Sequence, residues 1–269
     1  MSDHPFENHS IIITGASRGI GWELARQLAT QGAHLALAAR QSEKLEELAT
    51  LCKKLGGEAV AIPADVTESE QCRMLVNRTI QAFEKIDVLV NNAGSTMWAR
   101  FDEISDLNIF EKILRVNYLG SVYCTYYALP YIKQSRGRIV GVSSLAGKTG
   151  VPKRSGYSAS KHAMVGFFDS LRIELRGTGV SVTMIYPGFV GTGSQARGFG
   201  PDGKPLGHNP LQADKVMSPE DCARLTLRAI AARRREEVMS LRGKFGQWLK
   251  LIAPGLVDRI ANQAIEQGK

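Results

Sequence analysis

The sequence has few cysteines, and none lies in a pattern that builds a site. Its four cysteines form no Cys-x-x-Cys pair, and none lies at metal-ligand spacing from a histidine. A disulfide framework and a zinc or other metal site are therefore not expected. Reduced thiols are typical of a cytosolic protein, so we expect a cytoplasmic location.

Long apolar runs and an N-terminal export signal are also missing. No window reaches the roughly 18 uncharged apolar residues of a membrane-spanning helix. The first ten residues, MSDHPFENHS, do not show the charged-then-apolar order of a signal peptide. These absences predict a soluble protein.

No linker, internal repeat or low-complexity tract divides the 269 residues. Short apolar runs instead alternate with stretches of helical length. The strand-like runs are 10–15, 34–40, 59–65, 86–94, 137–144, 180–188 and a shorter one at 236–241; the helical stretches include 19–31, 42–56, 68–84, 106–128 and 157–176. This pattern predicts an α/β fold: a single doubly wound, Rossmann-type parallel sheet of about seven strands with helices on both faces, in one domain over 1–269.

The charge is unevenly distributed. The net charge is +8, and residues 133–176 contain nine basic but only two acidic side chains. No nucleic-acid-binding motif and no interleaved aromatic run accompany these charges, so we expect no nucleic-acid partner. A positive field that attracts an anionic cofactor or substrate fits better.

A glycine-rich turn follows the first predicted strand. TGASRGIG, residues 14–21, leads directly into a predicted helix. Gly15, Gly19 and Gly21 would let the backbone turn tightly and approach a pyrophosphate, which the free N–H groups of the helix N-terminus then bind. An ordinary strand-to-helix turn is the alternative. The position between strand and helix favours a dinucleotide site.

An acidic residue is missing where a site for NAD needs one. About 20 residues past the glycines, an acid normally binds the adenosine 2′-hydroxyl. Here the second strand ends Ala38-Ala39-Arg40. Arg40 and Arg18 would hold a 2′-phosphate instead, so NADP(H) is favoured over NAD(H). The alternative is that Arg40 is a solvated charge at a strand end.

Tyr157 precedes Lys161 by four residues, so both side chains lie on one face of a predicted helix. This spacing is weak evidence alone. Its companions are TGASRGIG, Asp65-Val66, the NNAG of residues 91–94, Asn117, Ser144, and Pro187-Gly188 with Thr192. In this order and spacing, the sequence resembles the short-chain dehydrogenase/reductase family over nearly its full length. The segment SSLAGKTGVP, residues 143–152, and the long C-terminal tail look most like the hydroxysteroid-dehydrogenase-like branch of that family.

The resemblance implies an NAD(P)-dependent alcohol dehydrogenase or carbonyl reductase that forms a dimer or tetramer. It assigns the catalytic roles to Ser144, Tyr157, Lys161 and Asn117, the last holding a water in the proton relay. Ser144 is preferred to Ser143 because the family's serine lies about thirteen residues before the tyrosine. The implied cofactor contacts are Gly15, Ser17, Arg18, Gly19, Ile20 and Gly21 at the phosphates, Arg40, Asp65 and Val66 at the adenosine, Asn92, Ala93 and Gly94 beside its ribose, and Tyr157, Lys161, Pro187, Gly188, Val190 and Thr192 near the nicotinamide.

The tyrosine and lysine types suit proton transfer to a carbonyl. A free phenol has a pKa of about 10, so ionising it near neutral pH requires about 4 kcal/mol of extra stabilisation of the phenolate. An ammonium about 4 Å away supplies roughly that amount at an effective dielectric constant of about 20. We therefore expect Tyr157 to act as general acid in reduction and general base in oxidation. Ser144 would donate a hydrogen bond to the substrate oxygen.

The helix that carries Tyr157 has two apolar sides. Its second side, formed by Ala159, Ala163, Gly166, Phe167 and Ser170, predicts close packing on another helix. A partner subunit is favoured as the source of that helix over intramolecular packing, and sedimentation analysis would test it. We expect a homodimer or homotetramer.

Two further segments lie outside the alternating pattern. Residues 193–217 are rich in glycine and proline and without a period, which favours a lid over a substrate pocket. The C-terminal extension, 241–269, combines aromatic and aliphatic side chains with basic ones over 241–265. Peripheral contact with a membrane surface and packing on protein both remain open.

The sequence therefore predicts an NADP(H)-dependent oxidoreductase that interconverts a ketone and a secondary alcohol on a hydrophobic substrate such as a steroid, retinoid or lipid. A 3-oxoacyl carrier-protein reductase is the alternative enzyme. A catalytically silent NADP(H)-binding sensor or scaffold is the alternative from another class, which the complete set of catalytic residue types disfavours.

Overall fold

Seven apolar runs form strands that pair side by side in one parallel sheet. The computed structural model describes residues 4–210 and 216–266, apart from the side chain of Arg242. The strands are β1 (Ser10–Thr14), β2 (His34–Ala39), β3 (Glu58–Pro63), β4 (Val88–Asn91), β5 (Arg138–Val142), β6 (Ser181–Tyr186) and β7 (Glu236–Val238). Their order in the sheet is β3-β2-β1-β4-β5-β6-β7, and every pair is parallel. The predicted fold class is confirmed.

Helices cover both faces of this sheet. They are α1 (Gly19–Ala29), α2 (Ser42–Lys54), α3 (Ser69–Phe83), α4 (Asn108–Leu114), α5 (Gly120–Gln134), α6 (Ser155–Glu174), α7 (Pro219–Ala231), α8 (Leu241–Ile252) and α9 (Pro254–Glu266). Residues 106–128 do not form one helix, because a π-helical turn at Arg115–Leu119 separates α4 from α5. The strands are also shorter at their ends than the apolar runs that predicted them.

The alternating pattern did not predict helix α7, although a helix-start signal precedes it. Ser218 caps the helix by accepting a hydrogen bond from the Asp221 N–H at 3.0 Å, and Pro219 occupies its first position. A capping serine followed by proline is a recognised helix start. The start signal is hard to recognise in the sequence because Ser218 and Pro219 directly follow the glycine- and proline-rich segment 193–217.

The apolar core lies in two layers, one on each face of the sheet. Successive residues of β1 point to opposite faces: Ile11 and Ile13 join the layer under α1, α2 and α7, while Ile12 joins the layer under α3, α5 and α6. This is why the strands read as continuous apolar runs. Strand β1 pairs with both β2 and β4. From β1 the chain adds β2 and β3 on one side, and then returns to add β4 to β7 on the other side. Ligands of such folds bind at the carboxyl ends of the strands at this switch point.

The second side of α6 is partly open to solvent in the monomer. Ala159, Gly166 and Ser170 are exposed, and a Cβ built on Gly166 would have no neighbour within 4 Å among the described residues. Ile173, one turn beyond Ser170, is 75% exposed. Ala163 and Phe167 are half-buried, and the Phe167 ring packs edge-on against Tyr118. An uncovered face is what the subunit interface requires, and the partner subunit itself stays a prediction.

The C-terminal extension folds into the pair α8 and α9. On its inner side, Ile265 packs with Trp98, and Lys250 donates a hydrogen bond to the Lys148 carbonyl at 2.8 Å. Large apolar side chains remain exposed on the outer side: Leu241, Phe245, Trp248, Leu251, Ile252, Leu256 and Ile260. The extension therefore packs on its own protein along one side, and contact of the other side with a membrane or a protein stays a prediction. In the parts of the chain that the structure describes, no helix has both the length and the apolar character to cross a bilayer.

Candidate active site

A cleft of about 960 Å³ opens at the carboxyl ends of the strands, at the switch point. It brings together residues from nearly all of the predicted site. Among those lining it are Gly15, Ser17, Arg18, Gly19, Ile20, Arg40, Asp65, Val66, Asn92, Ala93, Gly94, Ser144, Tyr157, Lys161, Pro187, Gly188, Val190 and Thr192. Gly21 and Asn117 are the two predicted site residues outside this set.

The glycine-rich turn forms one end of the cleft. Gly15 and Gly19 have φ values of 67° and 58°, in the left-handed region that glycine adopts without strain. Gly21 is needed for close packing: a Cβ there would lie 2.5 Å from the Gly15 carbonyl oxygen and 2.7 Å from the Asn92 amide nitrogen. Arg18, which precedes α1, makes no side-chain cap, so N–H groups of the first turn remain for a ligand. This end fits a pyrophosphate.

No acidic side chain follows β2 on the way to α2. Arg40 stands there with its side chain 79% exposed, and its Nη1 lies 4.0 Å from the Asp65 carboxylate. The Arg18 guanidinium donates to the side-chain oxygen of Gln41, the residue that follows Arg40 in the chain. Arg18 and Arg40 thus lie at the same end of the cleft, with Gln41 between them as a polar neighbour, and their contact with the adenosine stays a prediction.

The floor between β1 and β4 is a hydrogen-bonded junction. Thr14 Oγ1 donates to the Val90 carbonyl at 3.2 Å and accepts from the Asn92 and Ala93 N–H groups at 3.0 Å. The Asn92 amide donates to the Thr14 carbonyl at 2.9 Å and the Gly15 carbonyl at 3.2 Å. These bonds hold Asn92, Ala93 and Gly94 beside the glycine-rich turn, which places both around one ligand.

Tyr157 and Lys161 lie on the cleft side of α6. Tyr157 is half-buried and Lys161 is buried, with its Nζ 5.9 Å from the centre of the Tyr157 ring. Lys161 Nζ donates to the Val142 carbonyl at the end of β5, at 2.8 Å. Burial, and secondly the nearby positive charge of Arg154, lower the pKa of Lys161 from 10.5 to about 8. The lysine can therefore change charge within the pH range of ordinary enzyme assays.

Geometry separates the two candidate serines. Both serines line the cleft. Ser143 Oγ donates to the Lys161 carbonyl at 3.4 Å. Ser144 Oγ accepts from the Ala146 N–H at 3.2 Å and donates to none of the described residues, so its proton is available to a ligand. This difference favours Ser144, the residue that spacing had selected.

Asn117 lies behind the cleft wall, in the π-helical turn between α4 and α5. Its side-chain oxygen accepts from the Ser95 N–H at 2.8 Å, and its amide donates to the Ser95 carbonyl at 2.9 Å and to Ser160 Oγ at 2.8 Å. These bonds fasten the segment after β4 to α6. The side chain is thereby occupied with protein partners, so its predicted role in holding a relay water stays a prediction. π-Helical turns are frequent at functional sites.

Comparison with known proteins identifies the architecture. A family model described as short chain dehydrogenase matches residues 9–199. The chain belongs to the short-chain dehydrogenase/reductase family.

Individual relatives place this family member in the hydroxysteroid-dehydrogenase-like branch. It is 37% identical to 11-beta-hydroxysteroid dehydrogenase 1A of Arabidopsis thaliana over 92% of this chain and 73% of the relative. It is 34% identical to the dehydrogenase/reductase SDR family protein 7-like of Dictyostelium discoideum, over 96% of this chain and 82% of the relative. A solved short-chain dehydrogenase/reductase of Burkholderia phymatum in complex with NAD has a TM-score of 0.82 and 26% identity, covering 94% of this chain and 96% of that one.

These findings make the protein an oxidoreductase of the CH–OH/C=O class that uses a nicotinamide cofactor. The glycine cradle, the free N–H groups of α1 and the polar floor between β1 and β4 fit that cofactor. When bound, a nicotinamide supplies or accepts the hydride.

In this short-chain dehydrogenase/reductase the structure also shows site residues that sequence reasoning missed. Arg197, in the predicted lid, donates to the Thr192 carbonyl at 3.0 Å. It lines the cleft, and burial and the repulsion from Arg18 lower the pKa of its guanidinium. No periodic signal marks it, because its segment has no regular structure.

Part of the segment predicted as a lid is anchored at the cleft. Phe199 forms a short bridge with the segment after β4: its N–H donates to the Thr96 carbonyl at 2.9 Å, and its own carbonyl accepts from the Trp98 N–H at 2.9 Å. Phe199 and Gln195 line the cleft. Residues 211–215 of the predicted lid lie outside the described residues. Whether the segment opens and closes stays a prediction.

The buried ammonium of Lys161 predicts a pH-dependent effect on stability. The gap between a folded pKa of about 8 and the ordinary 10.5 corresponds to about 3 kcal/mol, at about 1.36 kcal/mol per unit of pKa. Below pH 8 the folded state bears the cost of a buried charge; as the pH rises from about 8 to about 10.5, the unfolded state holds more protons and stability is gained. Lys161→Met should therefore be more stable than wild type at pH 7, and this advantage should shrink by pH 10.

The measurement is the free energy of unfolding of both proteins by urea at several pH values. Taking the difference between the two cancels the titration of the other lysines. An advantage of the variant that stays constant from pH 7 to pH 10 would show that Lys161 keeps an ordinary pKa.

Proposed function

We propose that this protein is an NADP(H)-dependent oxidoreductase that interconverts a ketone and a secondary alcohol on a hydrophobic substrate. The observation that carries the proposal is the meeting of Ser144, Tyr157 and Lys161 in one cleft, from the end of β5 and the cleft side of α6. Names of relatives, such as 11-beta-hydroxysteroid dehydrogenase, support the same reaction class.

In reduction, Tyr157 gives its phenolic proton to the carbonyl oxygen, and in oxidation it takes the proton of the alcohol. Ser144 donates its free hydroxyl proton to the same oxygen, where negative charge develops. Lys161 favours the phenolate by its positive charge and offers its ammonium to the ribose next to the nicotinamide. Its bond to the Val142 carbonyl fixes where this charge lies.

NADP(H) rather than NAD(H) is supported by charge. Arg18 and Arg40 flank the place where a 2′-phosphate would lie, and Asp65, the carboxylate nearest to Arg40, is already engaged with Thr67 through two hydrogen bonds of 3.0 and 2.9 Å. A guanidinium binds phosphate oxygens with its planar fork. At the other end of the cleft, the rings of Phe189 and Phe199 line the wall, which suits an apolar substrate.

The test is NADPH oxidation, followed by absorbance, against a panel of ketosteroids, retinal, aliphatic ketones and acetoacetyl thioesters, with NADH as the control. We expect turnover of hydrophobic ketones with NADPH and weaker turnover with NADH. Turnover confined to acetoacetyl thioesters would replace the proposal by a 3-oxoacyl carrier-protein reductase. Binding of NADPH with no turnover on any ketone would favour a sensor.

A further inference from the structure

Arg154, three residues before Tyr157, is a buried cation in the wall of the cleft. It is 5% exposed and lines the cleft next to Tyr157. Its guanidinium carbon lies 4.3, 5.4 and 5.8 Å from the ring centres of Tyr157, Phe189 and Trp98. Three aromatic rings from separate parts of the chain thus hold one positive charge beside the proposed proton donor.

This charge has no anionic partner in the part of the chain that the structure describes. Its side chain makes one hydrogen bond, from Nη2 to Thr96 Oγ1 at 2.5 Å, and it forms no ion pair. Burial is the main influence on its pKa, which it lowers, and the Tyr157 phenol acts in the opposite direction. Buried charges are ordinarily paired, because leaving water is costly for an ion. The aromatic contacts offset part of that cost, and a bound anion would offset more of it.

Most of the hydrogen-bond donors of Arg154 are unused by the residues that the structure describes. A guanidinium has five N–H donors, and one of them is used by a described residue. The Nε is fully buried without a partner. The Nη1 makes no hydrogen bond to the described residues and is not among the fully buried atoms, and the residue lines the cleft.

The rest of the cleft has the same sign of charge. Seven basic side chains line it against one acidic one, Asp65; the basic residues are Arg18, Arg40, Lys112, Arg115, Arg154, Lys161 and Arg197. Arg18, Arg40 and Arg197 lie toward the end of the cleft formed by the glycine-rich turn and the end of β2. Lys112 and Arg115 are near carboxylates of their own, at 3.4 Å from Asp106 and 3.0 Å from Glu111. Among the described residues, Lys161 and Arg154 are the cleft cations near Tyr157 without an ion pair. Because Lys161 already donates to the Val142 carbonyl and is assigned to the ribose, Arg154 is the cation left for an anionic group of the substrate.

We propose that Arg154 binds a carboxylate of the substrate, so that this enzyme acts on an amphipathic keto acid and its hydroxy acid. The inference rests on the proposed function, since it names the substrate class of the same site. Because the guanidinium stacks on the ring whose hydroxyl contacts the reacting oxygen, only a few atoms separate the carboxylate from the ketone carbon. The apolar remainder of the substrate lies against the rings of Phe189 and Phe199.

The experiment compares matched acids and esters on the full chain with NADPH. The pairs are levulinate with methyl levulinate, and benzoylpropanoate with its methyl ester. We expect wild type to prefer each acid over its ester in kcat/KM. In Arg154→Met the acid should lose about 30- to 100-fold more than the ester, because hydrogen bonds between charged groups at a desolvated site are among the strong ones. Arg154→Lys keeps the charge without the fork, so it should recover part of the preference.

Lys153→Met is the matched control, since it removes the same charge from the neighbouring exposed residue, which does not line the cleft. Its acid-to-ester ratio should equal that of wild type. A thermal melt of each variant shows whether it is folded, and Arg154→Lys carries the comparison if Arg154→Met does not fold. Equal losses for acid and ester in the Arg154 variants, or no preference for acid in wild type, would overturn the inference.

A second measurement separates this inference from the proposed reaction. Phenylbutanoate lacks the ketone, so calorimetric titration into the enzyme–NADPH complex reports binding alone. Arg154→Met should weaken this binding and leave that of methyl phenylbutanoate less affected. Selective binding of phenylbutanoate without turnover of any ketone would leave the carboxylate site standing and refute the proposed oxidoreductase reaction. Turnover of neutral ketones, together with equal phenylbutanoate binding by wild type and Arg154→Met, would support the oxidoreductase reaction and refute the carboxylate site.

Discussion

Tyr157→Phe is expected to lower kcat for ketone reduction about 100- to 10,000-fold, the range that a positioned general acid contributes. Phenylalanine keeps the ring that stacks on Arg154 at 4.3 Å and removes only the hydroxyl that gives the proton. The dissociation constant of NADPH should change by less than about threefold, because the glycine-rich turn and the arginines that would hold its phosphates are unaltered. Steady-state NADPH oxidation and a fluorescence titration of NADPH measure the two quantities.

Tyr126→Phe is a suitable control for this loss. Tyr126 lies on α5 with its side chain exposed, away from the cleft, so the same deletion of a hydroxyl should leave kcat unchanged. Wild-type turnover in Tyr157→Phe would remove Tyr157 from the reaction and with it the proposed proton path.

Arg40→Asp is expected to reverse the cofactor preference, lowering the ratio of kcat/KM with NADPH to that with NADH about 100- to 1,000-fold. The substitution removes a guanidinium donor, and a bond to a charged group is worth about 1.5–3 kcal/mol. The new carboxylate repels a 2′-phosphate and accepts hydrogen bonds from a ribose hydroxyl. The ratio is obtained from initial rates with each cofactor on one ketone substrate.

Arg78→Asp makes the same change of charge at an exposed position on α3 that does not line the cleft. Its cofactor ratio should stay at the wild-type value, which separates a local effect from one of net charge. A wild-type enzyme that uses NADH as well as NADPH, together with an unchanged ratio in Arg40→Asp, would mean that Arg40 is only a solvated strand-end charge.

The order of strands and helices could be predicted from the sequence because both faces of the sheet are buried. Such strands must be apolar throughout, as in the SIIIT run of β1, and their alternation with helical stretches permits few topologies. The helix boundaries were less accurate. The π-helical turn at Arg115–Leu119 interrupts a stretch whose apolar period continues, since local pattern does not report how the helix packs on α6.

The site residues also differ in how far the sequence alone could identify them. Glycines 15 and 19, the arginine at the end of β2 and the Tyr157–Lys161 pair are determined by the sequence itself, because each requirement is local: a left-handed φ, a residue at a strand end, two residues one helical turn apart. The close approach of α1 to Gly15 and Asn92 requires a glycine at position 21, which the local pattern did not reveal, and the contact of Gly21 with the cofactor stays a prediction.

Only the tertiary structure decided the roles of residues that depend on segments far apart in the chain. In the sequence, Arg154 is one of nine basic residues in 133–176 and nothing distinguishes it from the others. It is buried among Trp98, Tyr157 and Phe189 because three segments that are far apart in the chain meet at one cleft. The lowered pKa of Lys161 has the same origin, since it comes from burial and from Arg154. Burial and Coulomb interactions depend on distances in space, which a pattern of neighbours along the chain does not contain.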